Sequence, residues 1–333
     1  MNLSYTDEQN LLRDSVSKFC LSDYDFETRM KSVESEKGHN EEHWKLFAEL
    51  GWLAIPFAEE HGGLDGNDVD LSLMFEEFGK AIVVEPYLAN VVLGGGILKR
   101  SDLEDKAKYI EGIIGGELQI SLANYEPTKG FNLGNVDCEI SSDGNVNGLK
   151  TTVLNAQNAN YFVVFGKHDK GHAFALVSKD AEGVGCTSYK TYDGFVSGDV
   201  KFENCKAEAV FSTANALEIL EETILDGLVC ISSEAVGAME KCYQLTIEYT
   251  KQREQFGQPL SKFQALQHRM VDMFMEAEFT KSFLLKVLAT HEIDEKRKLI
   301  YGLKNQVAHA GKLVAEEAAV SYTHLTLPTK RIV

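Results

Sequence analysis

The sequence is poor in positive charge, and it has neither a long apolar segment nor paired cysteines. Of its 333 residues, 33 are Lys or Arg and 51 are Asp or Glu, which gives a formal charge of −18. An acidic chain of this kind is not suited to general nucleic-acid binding, although local charge still decides whether it can hold an anionic cofactor. No apolar run is long enough to span a membrane, so we expect no membrane partner.

The N-terminus and the cysteines favour a cytoplasmic protein. Residues 1–10 have no basic segment followed by an apolar core, so no secretory signal is predicted. The six cysteines show no CxxC pair and no regular spacing. We therefore expect free thiols in a reducing compartment, with neither a disulfide framework nor a metal site.

The hydrophobic pattern changes twice along the chain and predicts three domains of an α+β protein. Residues 1–120 follow helical spacing. Residues 121–212 alternate in short runs separated by turn signals, which predicts a compact antiparallel barrel or sandwich. Residues 213–320 return to helical spacing in three long amphipathic segments, which predicts an antiparallel helical bundle.

Local signals mark several element ends. Thr6 and Gln9 form a capping box ahead of the first helix. Gly51 is predicted to close a helix over residues 42–50. Asp143 and Gly144 separate two strand-like runs and predict a hairpin.

Residues 251–264 form the most informative segment, and they predict a tight corner between two long helices. Gly257 suits the left-handed conformation that ends a helix, and Pro259 cannot continue one. Ser261 followed by Gln264 is a capping box that is predicted to begin the next helix.

The same corner concentrates positive charge in an acidic chain, through Lys251, Arg253 and Lys262. A cationic corner beside a helix N-terminus can hold a phosphate or pyrophosphate. The alternative is an interhelical turn with solvated charges, because helix ends often carry Lys and Arg. The residues alone favour this alternative.

The motif Arg-x-Gln-Phe-Gly-x-Pro-Leu…Phe-Gln resembles the flavin signature of the acyl-CoA dehydrogenase family, and it reverses that preference. Similarity to this family extends over nearly the whole chain and is strongest at residues 47–56, 76–79 and 253–264. Within the family, three stretches resemble the small subunit of pimeloyl-CoA dehydrogenase, at residues 85–96, 234–239 and 263–274.

The resemblance implies an N-terminal helical domain, a central β domain and a C-terminal helical bundle. It implies FAD as cofactor and an acyl-CoA substrate that is oxidised between Cα and Cβ, with dicarboxylyl-CoA such as pimeloyl-CoA as the specific candidate. Arg253, Phe256 and Gln264 would reach the FAD of a neighbouring subunit, and Asn124 and Tyr125 would lie beside the flavin. Gln264 has an alternative role as a helix cap only.

The implied partners are a homologous large subunit in a heterotetramer, or further copies of this chain, and an acceptor of the electron-transfer flavoprotein type. Two alternatives remain open. One is a non-catalytic subunit that holds FAD, or serves as a scaffold, while its partner supplies the catalytic base. The other is a binding protein that keeps the fold without flavin.

Two departures from the family pattern concern the flavin ring. Tyr125 stands where a Thr is typical, and the Gly-Ser-Asp that usually follows is absent. Thr152 stands where the family usually has a Trp that packs against the ring. Contacts to the isoalloxazine ring are therefore in question, whereas the Arg253 corner is intact.

The catalytic base is not evident, so the catalytic residue is left unknown. Most relatives carry it as a Glu late in the C-terminal helices, and a minority carry it at the position of Gly227. Asp226 is one residue away, about 100° around a helix, and is interpreted as a solvated helix acid rather than as a base.

Two further groups have functional interpretations that we weigh against ordinary ones. Glu76 and Glu77 could form a paired-carboxylate site, but an acid pair on a helix surface is favoured. Asp272 could orient the imidazole of His268 four residues earlier, but a surface or interface histidine is favoured.

The C-terminal tail, residues 321–333, differs from the sequence before it. It contains three Thr, one Pro and no acid, and the family pattern of the bundle breaks off after Val320. We expect a truncated bundle followed by foreign or frame-shifted sequence, and the alternative is a naturally divergent C-terminus.

Overall fold

The computed structural model describes residues 5–323, and its elements follow the predicted order of helices, strands and helices. The α+β fold class is thereby confirmed. Nine α-helices lie within the described residues: α1 (Asp7–Ser22), α2 (Phe26–Glu34), α3 (Glu41–Glu49), α4 (Asp68–Ala81), α5 (Gly95–Arg100), α6 (Lys106–Ile114), α7 (Ala216–Gln252), α8 (Gln264–Leu288) and α9 (Ile293–Thr323).

Ten strands and four short helical turns complete the described part of the chain. The strands are β1 (Ile120–Ala123), β2 (Glu139–Ile140), β3 (Asn145–Leu154), β4 (Tyr161–His168), β5 (Gly171–Ser178), β6 (Val184–Lys190), β7 (Val196–Lys206), β8 (Ala209–Phe211), β9 (Glu254–Gln255) and β10 (Gln258–Pro259). The 3₁₀ turns are Trp52–Ala54, Glu59–His61 and Leu260–Lys262, and a π-helical segment covers Leu88–Gly94.

Contacts divide the chain into two compact units. One contains residues up to 25, residues 68–83 and residues from 228 onward; the other contains residues 26–67 and 84–227. The predicted domain boundaries, after residues 120, 212 and 320, stay predictions.

The predicted element ends are largely confirmed. The hydroxyl of Thr6 accepts a hydrogen bond from the backbone N–H of Gln9 at 3.2 Å, and the side chain of Gln9 accepts one from the N–H of Thr6 at 3.1 Å. Gly51 follows α3 with φ of 74°, a conformation that suits glycine. The Asp143-Gly144 turn joins the antiparallel strands β2 and β3, as expected.

Strands β1 to β8 form one sheet in the order β6-β7-β3-β2-β4-β5-β8, with β1 also paired to β4. Most neighbouring strands pair antiparallel, as expected, but β4 pairs in parallel with both β1 and β2. The sheet's buried side includes Phe162 and Phe202, whose rings meet edge to face at 6.0 Å. Such contacts stabilise a core beyond the apolar area that they bury.

Helices α4 and α7 approach each other within one unit until their backbones nearly touch. A Cβ added to Gly79 would lie 1.8 Å from the carbonyl oxygen of Glu234, and one added to Gly237 would lie 1.8 Å from that of Glu76. Glycine is therefore required at both crossing points. The hydroxyl groups of Ser72 and Ser233 are hydrogen-bonded at 2.8 Å in the same contact.

Helix α9 does not end where the sequence pattern changes. It continues past Val320 to Thr323, and Ser321 is fully buried. Residues 324–333 of the predicted foreign tail lie outside the described residues, and the foreign origin of 321–333 stays a prediction.

We predict that Gly79→Ala and Gly237→Ala each lower the free energy of unfolding by about 3 kcal/mol or more, because the added methyl group meets a backbone carbonyl that cannot yield. Gly311 in α9 provides the control, since a Cβ there meets nothing within 4 Å. Gly311→Ala should raise stability by up to about 1 kcal/mol. Urea unfolding of the three variants checks this, and equal effects at all three positions would contradict the close approach.

Candidate functional site

The predicted corner between two long helices is a short hairpin followed by a 3₁₀ turn. Helix α7 ends at Gln252, and β9 pairs antiparallel with β10 through Gln255 and Gln258. The backbone N–H of Leu260 donates to the carbonyl oxygen of Arg253 at 2.8 Å and closes the base of the hairpin.

The hairpin turn consists of Phe256 and Gly257, with φ of 56° and 80°. Two consecutive left-handed residues are characteristic of a tight two-residue hairpin. Gly257 therefore has the predicted left-handed conformation, but it lies in this turn rather than at the end of α7.

The predicted capping box of Ser261 and Gln264 is wrong. Helix α8 begins at Gln264, and the N-cap residue Phe263 provides no side-chain hydrogen bond. Ser261 lies within the Leu260–Lys262 turn, two residues before the N-cap residue Phe263, so its hydroxyl does not cap α8. Instead, the carbonyl oxygen of Ser261 accepts a hydrogen bond from Nε2 of Gln267 at 2.8 Å.

The side chains of the hairpin point away from its own unit. Phe256 is 91% exposed, and its ring meets that of Phe263 edge to face at 6.2 Å. Arg253 is exposed, and its guanidinium has no ion-pair or hydrogen-bond partner within residues 5–323. Gln264 is exposed as well.

The two lysines of the corner differ in their surroundings. Nζ of Lys251 lies 2.7 Å from Oε1 of Glu248 on the same helix, so part of its charge is compensated locally. Lys262 is exposed at the end of the 3₁₀ turn. The cationic character expected at the corner is therefore present in Arg253 and Lys262.

Asn124 and Tyr125 lie directly after β1 in the other unit. Asn124 is only 8% exposed, and its Nδ2 has no hydrogen-bond partner among the described residues. The side chain of Tyr125 is partly exposed, while its carbonyl oxygen accepts a hydrogen bond from the N–H of Thr151 at 2.9 Å. A buried amide donor without a partner fits a cofactor that offers an acceptor oxygen or nitrogen.

Thr152, which replaces the typical Trp, lies at an irregularity of β3. The register between β3 and β7 shifts between Lys150 and Val153, and Thr152 has φ of 53°. A β-branched residue is strained in this region. The chain thus has a small side chain and a distorted backbone at the position where relatives place an aromatic ring.

The candidate base Asp226 is held in an ion pair. Its Oδ2 lies 2.8 Å from Nη2 of Arg100, whose Nε lies 3.2 Å from Oε2 of Glu222. The interpretation of Asp226 as a simple solvated acid is therefore corrected, because its carboxylate is paired with a guanidinium. Gly227 is buried, and a Cβ there would approach Cδ2 of Leu93 to 3.0 Å.

Glu76 and Glu77 are each only 5% exposed, so the interpretation as a surface acid pair is wrong. The close approach of α4 and α7 buries this part of α4, which helical spacing alone does not reveal. Glu77 pairs with Lys80 at 2.7 Å. Oε2 of Glu76 lies 3.5 Å from Nζ of Lys281, whereas its Oε1 has no partner among the described residues.

Burial raises the pKa of Glu76, and the nearby Lys281 only partly offsets this effect. Burial acts to lower the pKa of Lys281, but the carboxylates of Glu76 and Glu240 outweigh it and raise that pKa. The cluster is an electrostatic contact between helices of one unit. His268 and Asp272 are both exposed, which agrees with the favoured surface interpretation of the histidine.

Two family models match the chain. The acyl-CoA dehydrogenase N-terminal domain matches residues 6–117, and the acyl-CoA dehydrogenase C-terminal domain matches residues 217–327. The chain belongs to the acyl-CoA dehydrogenase family. The predictions of an FAD-dependent oxidoreductase that acts on a CH–CH bond, and of FAD as cofactor, are confirmed by this membership.

The similar proteins align with this chain over most of its length. The chain is 29% identical to a probable acyl-CoA dehydrogenase, YngJ, of Bacillus subtilis over 86% of this chain and 80% of that protein. Its fold is similar to the ChsE4–ChsE5 complex of Mycobacterium tuberculosis, with a TM-score of 0.86, 21% identity, and coverage of 97% and 88% of the two chains. It is also similar to the FAD complex of PigA, with a TM-score of 0.88, 21% identity, and coverage of 97% and 89%.

Among the described helices, none is both long and apolar enough to cross a membrane. Residence in the cytoplasm stays a prediction.

We predict that Glu76→Gln becomes increasingly stabilising, relative to the unchanged protein, as the pH rises above the ordinary Glu value of 4.5. Because the pKa is raised in the folded state, that state binds more protons than the unfolded chain between the two pKa values, and stability falls as the pH increases. Gln cannot ionise and avoids this loss. Urea unfolding as a function of pH provides the measurement.

Glu41→Gln is the control of opposite sign. The hydrogen bond from Lys37 lowers the pKa of Glu41, so ionisation there slightly favours the folded state above 4.5. Parallel stability profiles for the unchanged protein and Glu76→Gln would contradict the burial of an unfavourable charge.

Proposed function

We propose that the chain is a flavoprotein subunit of an oligomeric acyl-CoA dehydrogenase and that its hairpin corner binds the FAD of an adjoining subunit. The observation that supports this most is the unpaired, exposed guanidinium of Arg253 beside the exposed ring of Phe256. The guanidinium has no partner within the described part of the chain, the Phe256 ring meets Phe263 but stays 91% exposed, and a nucleotide would cover both groups.

The chemistry of the corner suits a diphosphate. A guanidinium offers parallel N–H donors that match phosphate oxygens, and charge-assisted hydrogen bonds of this kind are the strong ones. Phe256 would pack against the adenosine part, since covering a side chain of this size contributes about 1.5–3 kcal/mol. Gln264, exposed at the start of α8, would donate or accept a hydrogen bond at the cofactor.

Asn124 and Tyr125 would serve the flavin from their own unit. The unpartnered Nδ2 of Asn124 is a donor for an acceptor atom at the ring edge, and Tyr125 replaces the usual Thr next to it. The chemistry that FAD supplies when bound is to accept the β-hydrogen of the substrate as a hydride. The protein must in addition provide a carboxylate that removes the α-proton.

A second candidate function is a subunit that holds FAD while its partner supplies the base. It is favoured by the residues at the position on α7 where a minority of relatives carry the base. Gly227 is buried and has no side chain, and Asp226 forms an ion pair with Arg100. Neither residue is therefore a ready base. A similar fold occurs in a complex of two proteins, ChsE4–ChsE5, and this supports a heteromeric assembly for the present chain.

Helix α8 carries an apolar surface that an assembly would bury. Its exposed large side chains recur at helical spacing and are Val271, Phe274, Met275 and Phe279. Contiguous exposed apolar groups are characteristic of protein interfaces.

We assign the partner as a homologous large subunit, the substrate as a dicarboxylyl-CoA such as pimeloyl-CoA, and the acceptor as an electron-transfer flavoprotein-type protein.

We expect purification of the protein, alone and together with a homologous large subunit, to separate the two functions. A yellow protein that is bleached by acyl-CoA on its own supports an independent dehydrogenase. Flavin binding or turnover that requires the partner supports the second function. Absence of flavin in both preparations would contradict the proposal.

We predict that Arg253→Ala weakens FAD binding about 10- to 100-fold while the fold is retained, because one charge-assisted interaction is lost. Lys251→Ala is the matched control on the same helix end, since its charge is shared with Glu248. Flavin content after gel filtration gives the occupancy, and circular dichroism checks the fold. Normal occupancy in Arg253→Ala would count against the assignment.

A further inference from the structure

Glu126 and Lys150 form an ion pair in the unit that contains the sheet. Nζ of Lys150 lies 2.7 Å from Oε1 of Glu126, and their side chains are 0% and 4% exposed. The cost of removing both charges from water offsets much of their attraction, so stability alone is a weak reason for such a pair. The hydrogen bonds that the pair makes to the backbone indicate a different role.

The carboxylate of Glu126 binds a second part of the backbone close to Asn124 and Tyr125. Oε2 of Glu126 accepts a hydrogen bond from the N–H of Asp137 at 2.5 Å, and Oε1 accepts one from the N–H of Cys138 at 2.9 Å. Nζ of Lys150 also donates to the carbonyl oxygen of Asn124 at 3.3 Å. The pair therefore links the end of β1, the start of β2 and the middle of β3.

The chain between these anchor points has no regular secondary structure. Residues 127–136 lie between Glu126 and Asp137 in the stretch of chain that joins β1 to β2, and Phe131 within them is 95% exposed. Lys129 pairs with Asp137 at 2.6 Å. The carboxylate of Glu126 thus holds together the two ends of this segment directly after Tyr125.

The charge state of the carboxylate agrees with this role. Burial acts to raise the pKa of Glu126, but hydrogen bonds from Lys150 and from the backbone of Asp137 and Cys138 outweigh it and lower that pKa. Glu126 is then ionised and accepts all three hydrogen bonds at neutral pH.

We infer that Glu126, together with Lys150, is a positioning residue that fixes Asn124 and Tyr125 where the edge of the flavin ring would bind. This inference rests on the proposed function. It accounts for the burial of an ion pair beside Asn124, whose Nδ2 has no partner among the described residues. A small displacement of such a donor is sufficient to weaken binding substantially.

The experiment compares Glu126→Gln, the double variant Glu126→Leu/Lys150→Met and the unchanged protein, each as the full chain in its assembly. Glu126→Gln leaves Lys150 without its counter-charge, whereas the double variant removes both charges together with the acceptor of the Asp137 and Cys138 N–H groups. Glu126→Asp keeps the negative charge on a side chain that is one methylene group shorter, and so tests whether the charge alone is sufficient for positioning. The readouts are thermal stability, FAD affinity by fluorescence titration, and the visible absorption bands of bound flavin.

We expect the double variant to lose stability, because the N–H groups of Asp137 and Cys138 lose their acceptor, and to show shifted flavin bands and FAD binding weakened on the order of tenfold. Glu126→Gln and Glu126→Asp should show the same spectral change. The control Lys201→Met/Glu203→Gln removes an exposed pair in β7, with a 2.6 Å separation, and should leave both flavin readouts unchanged.

Unchanged flavin bands and affinity in all the Glu126 variants would overturn the inference and leave the proposed function intact. A change that disappears in the double variant would also overturn it, because Glu126→Gln would then act through the unpaired charge of Lys150 and not through the lost contacts of Glu126. Absence of FAD from the unchanged protein in its assembly would overturn the proposed function itself, and this inference with it.

Discussion

The hydrogen bond from the N–H of Leu260 to the carbonyl oxygen of Arg253 is the interaction on which the functional account depends. It closes a hairpin directly after α7 and forces the turn residues Phe256 and Gly257 into left-handed conformations. The turn consequently projects from its unit. A helix that simply continued through this segment would place Arg253 and Phe256 on a helical surface rather than at a protruding corner.

The distribution of charge separates structural ion pairs from the candidate binding group. The buried carboxylates Glu76 and Glu126 each lie beside a lysine within their own unit. Asp226 has Arg100 as its partner. Arg253 differs, because the described part of this acidic chain provides no carboxylate for it. The diphosphate of the proposed FAD would supply the anion that this guanidinium lacks.

Much of the fold could be predicted from local chemistry and periodicity. The capping box at Thr6 and the glycine end of α3 are short-range features, and the structure has both. Strand β6 carries a weak sequence signal, because most of its residues are exposed and it lacks the alternation that marks a half-buried strand. The hairpin β9–β10 is too short to show any periodicity.

The residues of the candidate site were less predictable where contacts between distant parts of the chain determine their burial and their partners. Glu76 occupies a polar position of a helix, and only the crossing at Gly79 and Gly237 removes it from water. The pairing of Glu126 with Lys150 joins residues of different strands, which spacing cannot reveal. Similarity to a family supplied the roles of the Arg253 corner, because its residues taken alone favour an ordinary turn.

A structure of the FAD-loaded assembly tests the central claim most directly, through the distance from the Arg253 guanidinium to the nearest pyrophosphate oxygen. The account predicts charge-assisted hydrogen bonds of about 2.7–2.9 Å to a nucleotide held by the adjoining subunit. A guanidinium that stays in bulk solvent, with the diphosphate bound elsewhere, would contradict it.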